Sequence, residues 1–272
     1  MNEISIAEPP AASALPAATE LTRESPASAV RLATAPRLPG LSIVLPCFNE
    51  EGNVADAIRY ASAAGSAAAD RCEVIVVNDG SIDATAERAA AFAAADERVR
   101  LVEHAVNRGY GDALRSGLRA ARMPWILLTD ADLQFDLSEL ERFLPFAAEA
   151  DLVVGRRARR SDPLLRRVNA KLWNGLVRRA FSIPIRDVDC AFKLLRADVL
   201  DGLELEAHGA MISTELVVKA LARGARLVEL DVEHRPRVAG EQSGADPRVV
   251  LRAFRELAGL RRELRRLSHT AV

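Results

Sequence analysis

Cysteine is scarce and scattered: Cys47, Cys72 and Cys190 are the only three, and no two of them form a C-x-x-C pair. Neither a disulfide framework nor a zinc site is indicated, and isolated thiols suit a reducing cytosol. An excess of one charge is also missing. Lys and Arg number 37 against 38 Asp and Glu, which argues against nucleic acid as a partner of the generally basic kind. No apolar run approaches the roughly 18 to 20 residues that cross a bilayer, and the N-terminus lacks a basic stretch followed by an apolar one. A cytoplasmic chain, neither exported nor membrane-spanning, is the expectation. Phosphate-loop signatures are absent too. No G-x-x-x-x-G-K-[ST] occurs, and Gly109 and Gly111 do not make a G-x-G-x-x-G after the first strand, which disfavours P-loop NTPases and Rossmann dinucleotide enzymes.

What is present is an alternation of strands and helices. Half of the 272 residues are hydrophobic, enough for one large α/β domain or two small ones. Residues 1–39 are rich in Ala, Pro, Ser and Thr without a core-forming pattern and are expected to be a disordered leader. Strands are then predicted over Leu41–Leu45, Cys72–Val77, Val99–Glu103 and Trp125–Thr129. Helices should follow each, the second capped by Asp83 or Ser81, the fourth over Ser138–Ala147. Such spacing implies a parallel sheet with right-handed crossovers. Polar residues recur where the strands end, at Asn49 and Glu50, Asn78 and Asp79, Asn107 and Arg108, and Asp130 and Asp132. In a parallel sheet these ends share one edge, where open α/β folds bind ligands. Gly109 and Gly111, opening a helix, could bring backbone N–H groups close to a phosphate.

The run Leu127-Leu-Thr-Asp130-Ala-Asp132-Leu-Gln134 ends an apolar strand in carboxylates. In extended chain Asp130 and Asp132 leave one face and can converge on a hard divalent cation, with Gln134 continuing that face. Between Arg156 and Arg186 the only acid is Asp162, while bases include Arg156, Arg166, Arg167, Lys171, Arg178 and Arg179. Apolar residues Leu165, Val168, Leu172, Trp173, Leu176, Val177 and Phe181 fall at helical spacing in that segment, so one face should bury and the other attract an anion. Residues 246–272 read as a C-terminal basic amphipathic helix, able either to dock on the domain or to lie in a membrane interface.

Seven short motifs in order, Pro46-Cys-Phe-Asn-Glu50, Val77–Asp83, Asn107–Gly111, Asp130–Gln134, Gly155-Arg156, Asp189–Lys193 and Arg237–Ser243, resemble family 2 glycosyltransferases, in particular the polyprenol-phosphate hexose synthases. The resemblance implies a GT-A fold over residues 40–245: α/β, a single Rossmann-like, mostly parallel sheet flanked by helices. It implies transfer of a hexose, with inversion, from a nucleotide sugar such as GDP-mannose or a UDP-hexose to a polyprenyl phosphate, with Mg²⁺ or Mn²⁺. It assigns Pro46, Asn49, Glu50, Asp79, Arg108, Gly109 and Asp130 to donor binding, and Asp130, Asp132 and Gln134 to the metal. Arg156, with Arg166 or Arg167, would hold the acceptor phosphate, and Arg237 joins the catalytic group. Ala191 stands where the family commonly has Gly, and Gly244 follows Ser243 where many members have Lys. A soluble hydroxyl acceptor is the alternative; it requires a base, for which Asp189 and Glu215 are the candidates. A non-catalytic nucleotide-sugar or membrane-binding module is a third reading. Work at the inner face of an anionic membrane, as a peripheral protein, is compatible with the first.

Overall fold

The computed structural model describes residues 36–159, 164–237 and 247–270, with side chains at 36–158, 168–237 and 253–264. Seven strands form one sheet: β1 Leu41–Cys47, β2 Cys72–Asn78, β3 Val99–Glu103, β4 Trp125–Leu128, β5 Leu152–Arg159, β6 Lys193–Arg196 and β7 Leu227–Glu233, in the order β3-β2-β1-β4-β6-β5-β7. Helices α1 Val54–Ala68, α2 Thr85–Ala95, α3 Tyr110–Ala120, α4 Leu164–Phe181, α5 Met211–Ala222 and α6 Pro247–Thr270 connect and cover it. Near-continuous apolar strands such as Ile43-Val44-Leu45 and Val74-Ile75-Val76-Val77 are buried on both faces, as a sheet covered by helices on both sides requires. One core layer gathers Ile43, Leu45, Val74 and Phe192, the other Val44, Ile75, Leu128 and Ile212.

The sheet is mixed rather than parallel. β6 runs antiparallel to both β4 and β5, while β7 pairs parallel with β5. Pro46 continues β1 one rung past Leu45, opposite Val77; the β4 ladder has already ended at Val44–Leu128, so its missing N–H breaks no rung on that side.

Several expectations change. Ser138–Ala147 is not one helix but two short 3-10 segments, Leu137–Arg142 and Leu144–Ala148. Pro145 supplies no N–H and cannot lie inside a continuing α-helix. The folded part begins before residue 40: Leu38 is buried, its N–H donates to Ala68 O, and its carbonyl accepts from Asp70 N. Arg37 beside it is bonded to Asp70 and to the carbonyls of Ser66 and Ala67, while residues 1–35 of the expected leader lie outside the described residues. Asp83 does serve the start of α2, accepting Thr85 N at 3.0 Å, while Ser81 instead accepts Asn49 N.

The apolar stripe of α4 buries only in part. Val177 is inside, but Val168, Leu172 and Leu176 are exposed. α6 docks on the domain: Leu257 and Leu260 are buried, Glu263 meets Lys219 of α5 at 2.8 Å, and Phe254 meets the edge of Trp173 at 5.7 Å between centroids.

Candidate active site

The carboxyl edge of the parallel strands collects Asn49 and Glu50 after β1, Asp79 after β2, Arg108 and Gly109 after β3, and Asp130 and Asp132 after β4. Arg157 adds to it from the end of β5 and Arg237 from beyond β7. Because β6 is reversed, its beginning reaches the same edge, and the acids of Asp187-Val-Asp189-Cys190 arrive with it.

The acid pair is shaped by a turn, not by strand alternation. β4 stops at Leu128, the chain bends from Ala131, and Leu133 takes φ +60°. Asp132 is buried and its Oδ1 accepts the Gln134 N–H at 3.2 Å. Asp130 accepts the Tyr110 hydroxyl at 3.1 Å. Burial, then the Asp132 charge, pushes Asp130 up to about 7, and burial raises Asp132 as well. Two neighbouring carboxylates, one buried and one half-buried, that resist ionisation are the donor chemistry a hard divalent cation relieves. Among the described residues no group of three His, Cys, Asp or Glu is suited to a metal. The chain therefore offers a pair, and water or ligand oxygens would complete a sphere. Gln134, expected beside the pair, is fixed through its amide nitrogen and its backbone. Its side-chain amide donates to Arg235 O at 3.0 Å while Arg235 N donates back to Gln134 O at 2.8 Å, a staple between the acidic turn and the exit of β7.

On the donor side, Asn49 stands at φ +56° with its side-chain oxygen accepting Ile82 N. Glu50, raised by burial, accepts from Asn53 at 2.7 Å and from Arg237. Another nitrogen of Arg237 lies 3.7 Å from Asp132 Oδ2. Asp79 is spent on the loop: its carboxylate accepts His104 Nδ1, Arg108 N and Gly109 N at 2.7, 3.0 and 2.8 Å. Asp79, expected at the donor, thus holds the 108–109 turn. The Arg108 side chain is exposed. The glycines also serve the protein. Gly109 N is taken by Asp79, Gly111 N donates to His208 O, and a Cβ on Gly111 would lie 2.3 Å from Ala207 O. Neither N–H is left for a phosphate; the pair lets the 207–208 backbone approach.

On the acceptor side, alternation along β5 separates two arginines. Arg156 pairs bidentately with Asp231, its partner in the β5–β7 register. Arg157, on the strand face of Gly155 and Val153, grips Asp187 at 2.7 Å through two nitrogens. Its charge acts on Asp130, Asp132 and Asp189. Both guanidinia are paired with a carboxylate; Arg157 is the one whose charge reaches the acid pair, whereas Arg156, expected at the acceptor, is held by Asp231 on the edge strand β7. The side chains of Arg166 and Arg167, at the start of α4, lie outside the described residues.

Asp189, raised by burial and then by Asp187, has Thr214 Oγ1 at 3.4 Å. Glu215 is corrected: its oxygens accept Glu206 N and Ala207 N at 2.9 and 2.8 Å and meet Lys219 at 2.9 Å. A carboxylate so occupied is a structural anchor, not a base. Tyr110, His104, Arg157 and Lys193 were not singled out from the sequence. Lys193 is fully buried, bonded to Cys190 O and to Ser213 Oγ, and burial lowers its pKa. A lysine inside an apolar strand was the available signal, since buried cations are paired.

A mixed sheet in this order, with an acid pair at its carboxyl edge, is the GT-A fold of glycosyltransferases. Glucosyl-3-phosphoglycerate synthase from Mycobacterium tuberculosis, crystallised with Mn²⁺ and UDP-glucose, has this fold. It superposes with a TM-score of 0.63 at 20% identity, over 81% of this chain and 79% of that one. The family model described as glycosyl transferase family 2 matches residues 42–203, and the chain belongs to that family. The undecaprenyl-phosphate 4-deoxy-4-formamido-L-arabinose transferase of Shewanella sediminis is 32% identical over 204 residues, covering 74% of this chain. The dodecaprenyl-phosphate galacturonate synthase of Rhizobium johnstonii is 32% identical over 231 residues, covering 81%. The chain spans only 60% and 65% of the lengths of those two relatives.

Proposed function

We propose that this chain transfers a hexose, with inversion, from a nucleoside diphosphate sugar to a polyprenyl phosphate. The observation that carries the reading is the pair of half-buried Asp130 and buried Asp132, each resisting ionisation, with Arg157 and Lys193 acting on it from the acceptor side. Mn²⁺ or Mg²⁺ held by the pair would supply Lewis-acid charge for the leaving diphosphate. Asp130 and Asp132 would hold it, with Tyr110 orienting Asp130. Asn49 and Glu50 shape the donor rim. Arg237, tied to Glu50, brings a cation to the diphosphate side.

A phosphate acceptor is already anionic at neutral pH and needs orientation more than a base. Arg157 offers a planar guanidinium for that. The relatives' printed names, with undecaprenyl and dodecaprenyl phosphate, support the same acceptor class. So does α4, whose sequence has no acid, five cations, and exposed Val168, Leu172 and Leu176 along one stripe beside exposed Phe254 of α6. Such a face fits an anionic membrane surface, and no described helix is long and apolar enough to cross a membrane. We place the protein peripherally at the cytoplasmic face.

A hydroxyl acceptor is the second reading, favoured by one observation: the half-buried Asp189 carboxyl has its proton affinity raised by desolvation and by Asp187, as a general base does. A panel of UDP- and GDP-sugars, with Mn²⁺ and with or without a short-chain polyprenyl phosphate, separates the readings through released nucleoside diphosphate. Lipid-phosphate-dependent release supports the first. Release only with sugar or alcohol acceptors supports the second, and no release from any donor returns the chain to a binding module.

A further inference from the structure

The hydrogen bonds around Asp79 form a continuous path into the acid pair. His104 is buried just past β3, with Nδ1 2.7 Å from Asp79 Oδ1 and Nε2 2.8 Å from Ser116 Oγ on α3. Asp79 Oδ1 already accepts the Arg108 N–H at 3.0 Å, so it is an acceptor. The imidazole therefore carries a proton on Nδ1, facing Asp79, while Nε2 meets the Ser116 hydroxyl. The other Asp79 oxygen accepts Gly109 N at 2.8 Å. Gly109, at φ +95°, is the last residue before α3, and Tyr110, the first, donates to Asp130 at 3.1 Å. Ser116, His104, Asp79, Gly109, Tyr110 and Asp130 are linked in that order. Every link is a hydrogen bond except the one peptide bond.

We propose that His104 is a positioning residue of the donor site. By holding Asp79 against the Arg108 and Gly109 amides, it fixes the turn that presents Tyr110 to Asp130. The donor part of this statement rests on the transfer reading above; the hydrogen bonds do not. A space-filling role between β3 and α3 makes the opposite demand: shape would matter and the Nδ1 donor would not.

Asparagine can place an amide nitrogen near the Nδ1 position, glutamine near Nε2, and alanine near neither. The full chains of His104→Asn, His104→Gln and His104→Ala are compared in two measurements. One is hydrogen exchange of the peptide containing Arg108 and Gly109 in ligand-free protein, with β1 and β2 peptides as the control for folding. The other is affinity for UDP and for GDP in Mn²⁺. Losing a charge-assisted bond should accelerate exchange of that peptide about tenfold or more in the Gln and Ala variants and weaken the nucleotide that wild type binds by a similar factor. His104→Asn should stay within about threefold of wild type on both. Wild-type protection in His104→Ala, or a His104→Asn as defective as His104→Ala, overturns the proposal. If wild type binds neither nucleotide, the transfer reading fails, and the exchange measurement alone still decides the role of His104.

Discussion

Arg237, four residues past the end of β7, donates to Glu50, three residues past the end of β1, and so brings strands from opposite halves of the sheet to one point. The same guanidinium is 3.7 Å from Asp132. Its charge lowers the proton affinity of both carboxyls against the burial that raises them. Arg237→Gln removes that offset, so Glu50 and Asp132 should hold protons to higher pH. The pH at which Mn²⁺ binding is half-maximal should move upward in the variant; an unmoved midpoint would show that Arg237 does not act on the pair.

Asp132→Asn should abolish Mn²⁺ binding and transfer with the fold intact, because one anionic ligand of the pair is gone. Asp130 gives a companion test in stability. Its folded pKa, about 7, lies above the ordinary carboxylate value. The folded state therefore binds the extra proton, and this group's contribution to stability falls as pH rises from about 4 through 7. Without metal, Asp130→Asn should raise the melting temperature at pH 8 and change little at pH 4, and Mn²⁺ should stabilise wild type but not the variant.

Arg157→Lys keeps the charge and loses the two-nitrogen grip on Asp187. Transfer to polyprenyl phosphate should fall about tenfold or more, seen in kcat/KM for the acceptor, with nucleotide affinity nearly unchanged. Arg156→Lys, whose partner Asp231 sits at the rim of the sheet, should be close to silent. The reverse ranking would restore Arg156 to the acceptor site.

Leu172, 69% exposed on α4, should carry part of a membrane contact. Leu172→Asp ought to leave melting temperature and donor hydrolysis unchanged while reducing co-sedimentation with anionic liposomes. Wild-type binding should weaken with salt. Equal sedimentation of the two proteins would dismiss this face.

A chain beginning at Pro36 should melt with the full chain. Removing Arg37 and Leu38 as well exposes the core that buried Leu38 covers, at a cost of about 2 kcal/mol. The melting temperature should then drop by roughly 4 to 8 °C.

Local pattern determined much by itself. Apolar runs ending in Asn49, Asp79 and Asp130 marked strands and the edge that carries the site, because a strand's burial and its polar stop are written in adjacent residues. The Asp130–Asp132 pair needed only its spacing to be noticed, though the turn at Leu133, not extended chain, sets its shape. Tertiary structure decided what depends on distant partners. The reversal of β6 comes from its pairing with β4 and β5, and that is what delivers Asp187 and Asp189 to the site. Alternation in β5 put Arg156 and Arg157 on opposite faces, but only the neighbours Asp231 and Asp187 showed which face is which. Asp79, Gly111 and Glu215 looked available for ligands and are occupied by backbone groups from other parts of the chain. A hydrogen-bonding group's partners are set by folding across long separations, and spacing along the chain does not contain them.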